Sequence, residues 1–160
     1  LIRDRNGEEQ PMKFSTKSRY ALRLVADLAI HRTDGVLRLK DVASRQNITE
    51  KYAEQIISML KHGGLVQAKR GTQGGYTLTK PAAEITIGEI LRLTEGDLAP
   101  VPCLENGGDG CDFSEHCTTL AMWKKLYSAI SGIVDHMSVQ DMIQESGKDR
   151  ETMALDSAML

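Results

Sequence analysis

The chain reads as a mainly α protein with a small β-wing, followed by a long C-terminal helix. Three observations carry this expectation. Apolar residues recur at helical spacing in several stretches between residues 16 and 93. Residues 65–79 instead alternate around a glycine-rich tip, as paired strands do. Residues 118–137 carry an apolar seam that steps by three and four. The 160 residues suffice for one domain, and with 41% apolar but only 4% aromatic residues its core must be aliphatic.

Residues 1–11, LIRDRNGEEQP, are polar and show no periodicity. Met12 reads as the natural start, with residues 1–11 a non-native or disordered leader. A first helix runs from Thr16 to about His31, capped by Ser15 or Thr16, with Ala21, Leu24, Val25 and Leu28 on one stripe. Thr33, Asp34 and Gly35 break it, and Val36–Leu39 is a short extended piece. A second helix spans Lys40–Gln46 and buries Val42 and Ala43. Asn47-Ile48-Thr49 forms a turn in which Thr49 can cap a third helix, Glu50–His62. That helix turns Tyr52, Ile56, Met59 and Leu60 inward and Lys51, Glu54, Gln55 and Ser58 outward, and Gly63-Gly64 ends it. The hairpin pairs residues 65–69 with residues 76–79. Two short helices joined by a tight turn and followed by a hairpin form a winged helix-turn-helix.

Pro81 closes residues 12–80 as a winged-helix domain. Residues 81–145 then hold a helix from Ile87 to Leu93, a cysteine loop and further helices. The helix from Thr118 to Met137 should be the longest, with Trp123, Leu126, Ile130, Ile133 and Met137 as a seam for a second copy. Leu120, Tyr127 and Val134 widen that stripe. Ser138 caps a last short helix to Ile143, and residues 146–160 are expected to be disordered.

The net charge of −2 hides an asymmetry. Residues 12–80 carry 13 Lys and Arg against 5 Asp and Glu, a balance of +8, whereas residues 81–160 carry 5 against 14, a balance of −9. A basic winged helix points to a polyanion, most simply double-stranded DNA. The third helix would lie in the major groove, where Lys51, Glu54 and Gln55 meet base edges. Arg70 at the wing tip can enter a minor groove, and Gly71, Gly74 and Gly75 allow the backbone to approach phosphate. Ser15, Lys17, Tyr20, Thr49, Tyr52 and Lys61 complete the candidate DNA-binding set. A merely solvated helix face, or a winged helix used for protein contacts, remains the alternative.

All three cysteines fall in one loop, CLENGGDGCDFSEHC, as Cys103, Cys111 and Cys117. Their spacing is C-x7-C-x5-C, without the tight C-x2-4-C pairs of structural zinc sites. Soft thiolates at loose spacing suit an iron–sulfur cluster, while a metal-free thiol switch or an adventitious zinc site also uses such a loop. The odd cysteine count and the absence of a signal segment or an apolar run of ~18 residues argue for a cytoplasmic protein without a membrane span. No Ser-His-Asp set, phosphate loop or paired catalytic carboxylates suggest an enzyme; His31, His62, His116 and His136 read as surface or capping residues.

The segments MKFSTKSRYALR and YAEQIISMLKHGGLVQAKRGTQGGYTLTK, with the three cysteines followed by LAMW, resemble the bacterial Rrf2 regulators over residues 12–145. The resemblance is greatest to the cluster-binding, IscR-like members. It implies a homodimeric transcription factor that binds a palindromic operator and holds an iron–sulfur cluster, 2Fe–2S ahead of 4Fe–4S, on Cys103, Cys111 and Cys117. It places Glu54 and Gln55 on the recognition helix and Arg70 on the wing arginine. The sequence departs from the family at three points. The first cysteine spacing is longer by two. The histidine that follows the last cysteine by three in IscR-like members is Leu120. An N-terminal aspartate used by some nitric-oxide sensors is Arg19. The fourth ligand is therefore open among His116, Glu115, a carboxylate or histidine of a partner subunit, and an exogenous thiol.

Overall fold

The structure is a computed structural model that describes residues 2–3, 9–10, 14–32, 35–71, 73–107 and 113–147. The expected break at Thr33 and Asp34, most of the leader, and the tail from residue 148 lie outside the described residues. Within the leader, β1 (Ile2–Arg3) pairs antiparallel with β2 (Glu9–Gln10).

Helix α1 (Thr16–Ile30) begins where the Ser15 hydroxyl accepts the Ser18 N–H at 3.2 Å. Its stripe of Ala21, Leu24, Val25 and Leu28 is buried as its periodicity requires. The same stripe carries Asp27, only 4% exposed. A buried carboxylate is costly unless it is paired. Helix α2 (Leu39–Gln46) supplies the partners: Arg45 Nη2 donates to Asp27 Oδ2 at 2.6 Å and Gln46 Nε2 to Oδ1 at 3.0 Å. This polar tie fixes α2 against α1. Asn47 ends α2 in the left-handed region at φ 54°, where a short amide side chain is tolerated. Thr49 then caps α3 (Glu50–His62), accepting the Tyr52 N–H at 3.2 Å. Ala53, Ile56, Ile57 and Leu60 form its buried face.

Strands β3 (Val66–Lys69) and β4 (Gly75–Leu78) pair antiparallel, with Val66 opposite Leu78 and Lys69 opposite Gly75. The extended piece before α2 joins them: Leu37 and Tyr76 exchange backbone hydrogen bonds of 3.0 and 2.8 Å. Gly75 is required there, because a Cβ would stand 2.3 Å from the Leu37 carbonyl oxygen.

Helix α4 (Ile87–Glu95) opens with a capping box between Thr86 and Glu89 and is two residues longer than its periodicity suggested. It closes the core over α1 with Ile87, Ile90 and Leu91. Helix α5 spans Leu120–Val134, 15 residues, which equals α1 rather than exceeding it. It stops early because the chain must turn at residues 135–137 to pair with α4's entrance. There Ile87 N–H donates to the Met137 carbonyl and Val139 N–H to the Ile85 carbonyl, both at 2.9 Å. Helix α6 (139–147) is capped by Ser138, whose hydroxyl accepts the Asp141 N–H at 3.1 Å. It continues past Ile143, two residues into the stretch expected to be disordered.

Val134 and Val139 belong to the same core cluster as α1–α4, and Tyr127, Ile130 and Met137 pack against it. An Arg92–Asp135 ion pair reinforces the junction. Gly88 permits it, since a Cβ would lie 2.2 Å from Asp135 Oδ1. The C-terminal helices and the winged helix thus share one core.

Candidate nucleic-acid interface and cysteine loop

The outward face of α3 is as the sequence suggested. Thr49, Lys51, Glu54, Gln55 and Lys61 are exposed, while Tyr52 is half-buried. At the start of α1, Lys17 is exposed and Tyr20 half-buried. Tyr20 and Tyr52 meet edge to face, with ring centroids 5.7 Å apart and planes at 87°. The Arg23 guanidinium stands 4.9 Å above the Tyr20 ring. Such contacts stabilise by ~0.5–1.5 kcal/mol each beyond area burial. Their effect here is positional: they join the N-terminal ends of the two helices that present Lys17 and Lys51. Tyr20 and Tyr52 are therefore spacers between these ends as well as candidate contacts.

Arg70 is exposed at the end of β3, next to Gly71. Gly71 has φ 121°, which strains any side-chain-bearing residue, and Gly74 lies where a Cβ would meet the Lys69 carbonyl at 2.7 Å. Arg38, the N-cap of α2, donates to Gln73 Oε1 at 3.4 Å, tying the wing loop toward the helix-turn-helix. Thr72 lies outside the described residues.

Ser15 is committed within the protein on two sides. Its hydroxyl caps α1, and its N–H donates to Glu95 Oε1 at 2.7 Å. Burial raises the Glu95 carboxyl, but hydrogen bonds from Ser18 and Ser15 and the charge of Lys17 outweigh it and hold it below its ordinary value. Sequence reading missed both Glu95 and the Asp27–Arg45–Gln46 tie. For Asp27 a signal existed, an acid within an apolar stripe; for Glu95 there was none, since its partner lies 80 residues away.

The cysteine loop leaves α4 through a pinned segment. Asp97 Oδ1 accepts the Ala99 N–H at 2.8 Å and the Tyr127 hydroxyl of α5 at 3.1 Å. Leu98, Pro100 and Leu104 are buried. Two short 3₁₀ helices, Pro102–Gly107 and Ser114–His116, form the described limbs of the loop. Cys103 and Cys117 are free thiols, each half-buried. Cys111 lies outside the described residues, as do Gly108, Asp109, Gly110 and Asp112. Among the described residues no three His, Cys, Asp or Glu side chains cluster closely enough to hold a metal. Cys117 sits just before α5, and its Sγ is 3.4 Å from Thr119 Oγ1. That hydroxyl, followed by the N–H groups of Thr119 and Leu120, holds the Cys117 thiol below its ordinary value. A free, partly exposed thiol whose thiolate is favoured by nearby donors is the kind of ligand that soft metals and iron–sulfur clusters use. His116 and Glu115 are exposed, and His116 packs edge-on against Phe113 at 6.0 Å. Neither is brought to a described cysteine by a hydrogen bond.

The seam on α5 divides into two faces. Tyr127, Ile130 and Val134 turn toward the core, as does Met137 beyond the helix end, and Trp123 is half-buried. Leu126 and Ile133 point away, 37% and 63% exposed. With Met122 and Ala129, both exposed, they make an outer stripe stepping by 4, 3 and 4.

The chain has clear relatives. A family profile described as Rrf2, iron-dependent transcriptional regulator, matches residues 14–145. The HTH-type transcriptional regulator IscR of Photorhabdus laumondii is 34% identical over 132 residues, covering 82% of this chain and 79% of that protein. CymR, the global cysteine regulator of B. subtilis, superposes with a TM-score of 0.70 at 33% identity, over 83% of this chain and 97% of that one. T. potens IscR does so with a TM-score of 0.67 at 34% identity, over 84% and 88%. Among the described residues, no helix is long and apolar enough to cross a membrane.

Proposed function

Because the chain belongs to the Rrf2 family of transcription regulators, we propose that it binds a palindromic operator as a homodimer under the control of an iron–sulfur cluster. It is a DNA-binding transcription regulator and not an enzyme. On our reading Cys103, Cys111 and Cys117 hold the cluster, of 2Fe–2S type before 4Fe–4S. The fourth ligand is His116, Glu115, a group from the partner subunit or an exogenous thiol. The observation that carries the reading is the loop itself: two free, half-buried thiols on limbs that join α4 directly to α5. The donors at Thr119 and Leu120 that favour the Cys117 thiolate support it.

The remaining steps belong to the chain's own residues. A bound cluster supplies a redox- and ligand-sensitive centre that the three thiolates hold in place. Lys51, Glu54 and Gln55 read base edges in the major groove, with Thr49 and Lys61 at the two ends of the same helix. Arg70, with Gly71, Gly74 and Gly75, lets the wing follow the backbone into a minor groove. Ser15, Lys17 and Tyr20 bring the start of α1 to the phosphates. The outer stripe of α5, Met122, Leu126, Ala129 and Ile133, meets its copy in a second subunit, with Trp123, Ile130 and Met137 behind it. The two reading heads are thereby spaced for the two halves of an operator.

Anaerobic purification followed by absorption and electron paramagnetic resonance spectra tests the cluster. Cys111→Ala should lose the visible absorption and the cluster dependence of operator binding; unchanged spectra and binding would refute the reading. A cluster-free regulator that responds through cysteine oxidation or a partner protein is the second reading, favoured by the free, half-buried Cys117 thiol beside the Thr119 hydroxyl.

A further inference from the structure

We propose that Glu95 is the positioning residue through which the state of the cysteine loop reaches the DNA-reading end of α1. The inference rests on the regulatory reading above, but only in that the loop changes state, whether by a cluster or by thiol oxidation. Glu95 is the last residue of α4. Its Oε1 accepts the N–H of Ser15 at 2.7 Å, and Ser15 is the N-cap of α1. Ser15 in turn organises the first turn of that helix. Its hydroxyl accepts the Ser18 N–H at 3.2 Å, and its carbonyl accepts the Ser18 hydroxyl at 2.9 Å and the Arg19 N–H at 3.2 Å. A carboxylate at this end also meets the positive pole of the helix dipole. The next residues along α1 are Lys17 and Tyr20, the latter packed on Tyr52 at the start of α3.

On its other side Glu95 leads into the cysteine loop with little slack. Gly96 turns the chain at φ 86°. Asp97 is held by the Ala99 N–H and by the Tyr127 hydroxyl of α5. Leu98 and Pro100 are buried before Cys103, and Leu104 is buried just after it. Asp97 is bonded to α5 and Leu98 belongs to the common core, so a displacement of Cys103 is not absorbed freely within this segment. It is passed instead to the end of α4, where Glu95 grips the start of α1. The body of α1 is secured separately by Ala21, Leu24, Val25 and Leu28. Its first turn can therefore shift without loss of the fold.

The full chain is compared with Glu95→Ala, which removes the acceptor, and Glu95→Gln, which keeps an acceptor oxygen. Glu95→Asp, which keeps the charge but shortens the reach, replaces the alanine variant if that fails to fold. The probe is a duplex selected from a random pool by the wild-type protein. Affinity is measured before and after anaerobic reconstitution with iron and sulfide, with amide hydrogen exchange over residues 16–20 as the second readout. The wild-type ratio, about five- to a hundredfold for ordinary allosteric coupling, should fall to about twofold or less in Glu95→Ala and be largely kept in Glu95→Gln. Exchange at residues 16–20 should respond to the loop's state in wild type alone. A full ratio in Glu95→Ala overturns the proposal. If the wild type shows no visible absorption after reconstitution, the cluster reading has failed instead. The same proteins are then compared with the thiols reduced and with them oxidised by diamide. Loss of the contrast in Glu95→Ala upholds the relay; an unchanged contrast, or none in the wild type, overturns it.

Discussion

Asp27 shows how one side chain sets the geometry of a reading head. It is buried on α1 yet satisfied by Arg45 and Gln46 of α2, so the first two helices meet in one orientation. Asp27→Ala strands the partners. Arg45, about one-third exposed, can turn to water, so the loss should be about 2 kcal/mol rather than that of a fully buried pair. Urea unfolding checks it. Arg70 is the opposite case, exposed at the wing tip, and its proposed role is toward DNA. Arg70→Ala should leave the unfolding midpoint within error. It should weaken duplex binding by about 1–3 kcal/mol, most on A·T-rich flanks, as read by fluorescence anisotropy. The sequence placed Arg70 at the wing tip, because a wing tip is a local pattern. It did not point to the pairing of Asp27, because Arg45 and Gln46 lie on another helix.

At the scale of elements, the helix-turn-helix was legible nearly to the residue. Caps at Ser15, Thr49, Thr86 and Ser138 are short-range hydrogen bonds, and the structure makes each of them. Helix α5 was legible as a helix, but which of its faces turns outward was not. A seam read as one stripe divides between an inner set packed on the core and an outer set facing solvent. Turning the chain at residues 135–137 to pair Ile85 with Val139 fixes the helix's rotation about its axis. The two faces make opposite predictions. Ile133→Glu, at a site 63% exposed, should leave the fold intact and convert the dimer to monomer in analytical ultracentrifugation. Ile130→Ala, against the core, should instead lower stability by about 2 kcal/mol in urea, with the dimer contact retained.

For the whole molecule, carboxylates held low link folding to pH, Glu89, Glu95 and Asp135 among them. Glu89 and Glu95 are held below 4.5 and Asp135 below 3.8, against the pull of burial, by Lys80, by the α1 cap and by Arg92. A lowered folded-state value means that ionisation favours the folded chain. These contributions are complete above the ordinary carboxylate range and are lost as the pH falls through the lowered values. Denaturant midpoints should therefore hold from neutrality down to about 4.5 and then decline, and Glu95→Gln should flatten the decline. By itself the sequence determined the helices, their caps, the wing, the basic reading half and the family likeness, because each is written in residues close together along the chain. Only the tertiary structure decided which face of α5 turns outward, how Asp27 is paired, and that Glu95 holds Ser15 across 80 residues. Those contacts depend on how distant elements come to rest against a common core, and no local periodicity encodes that.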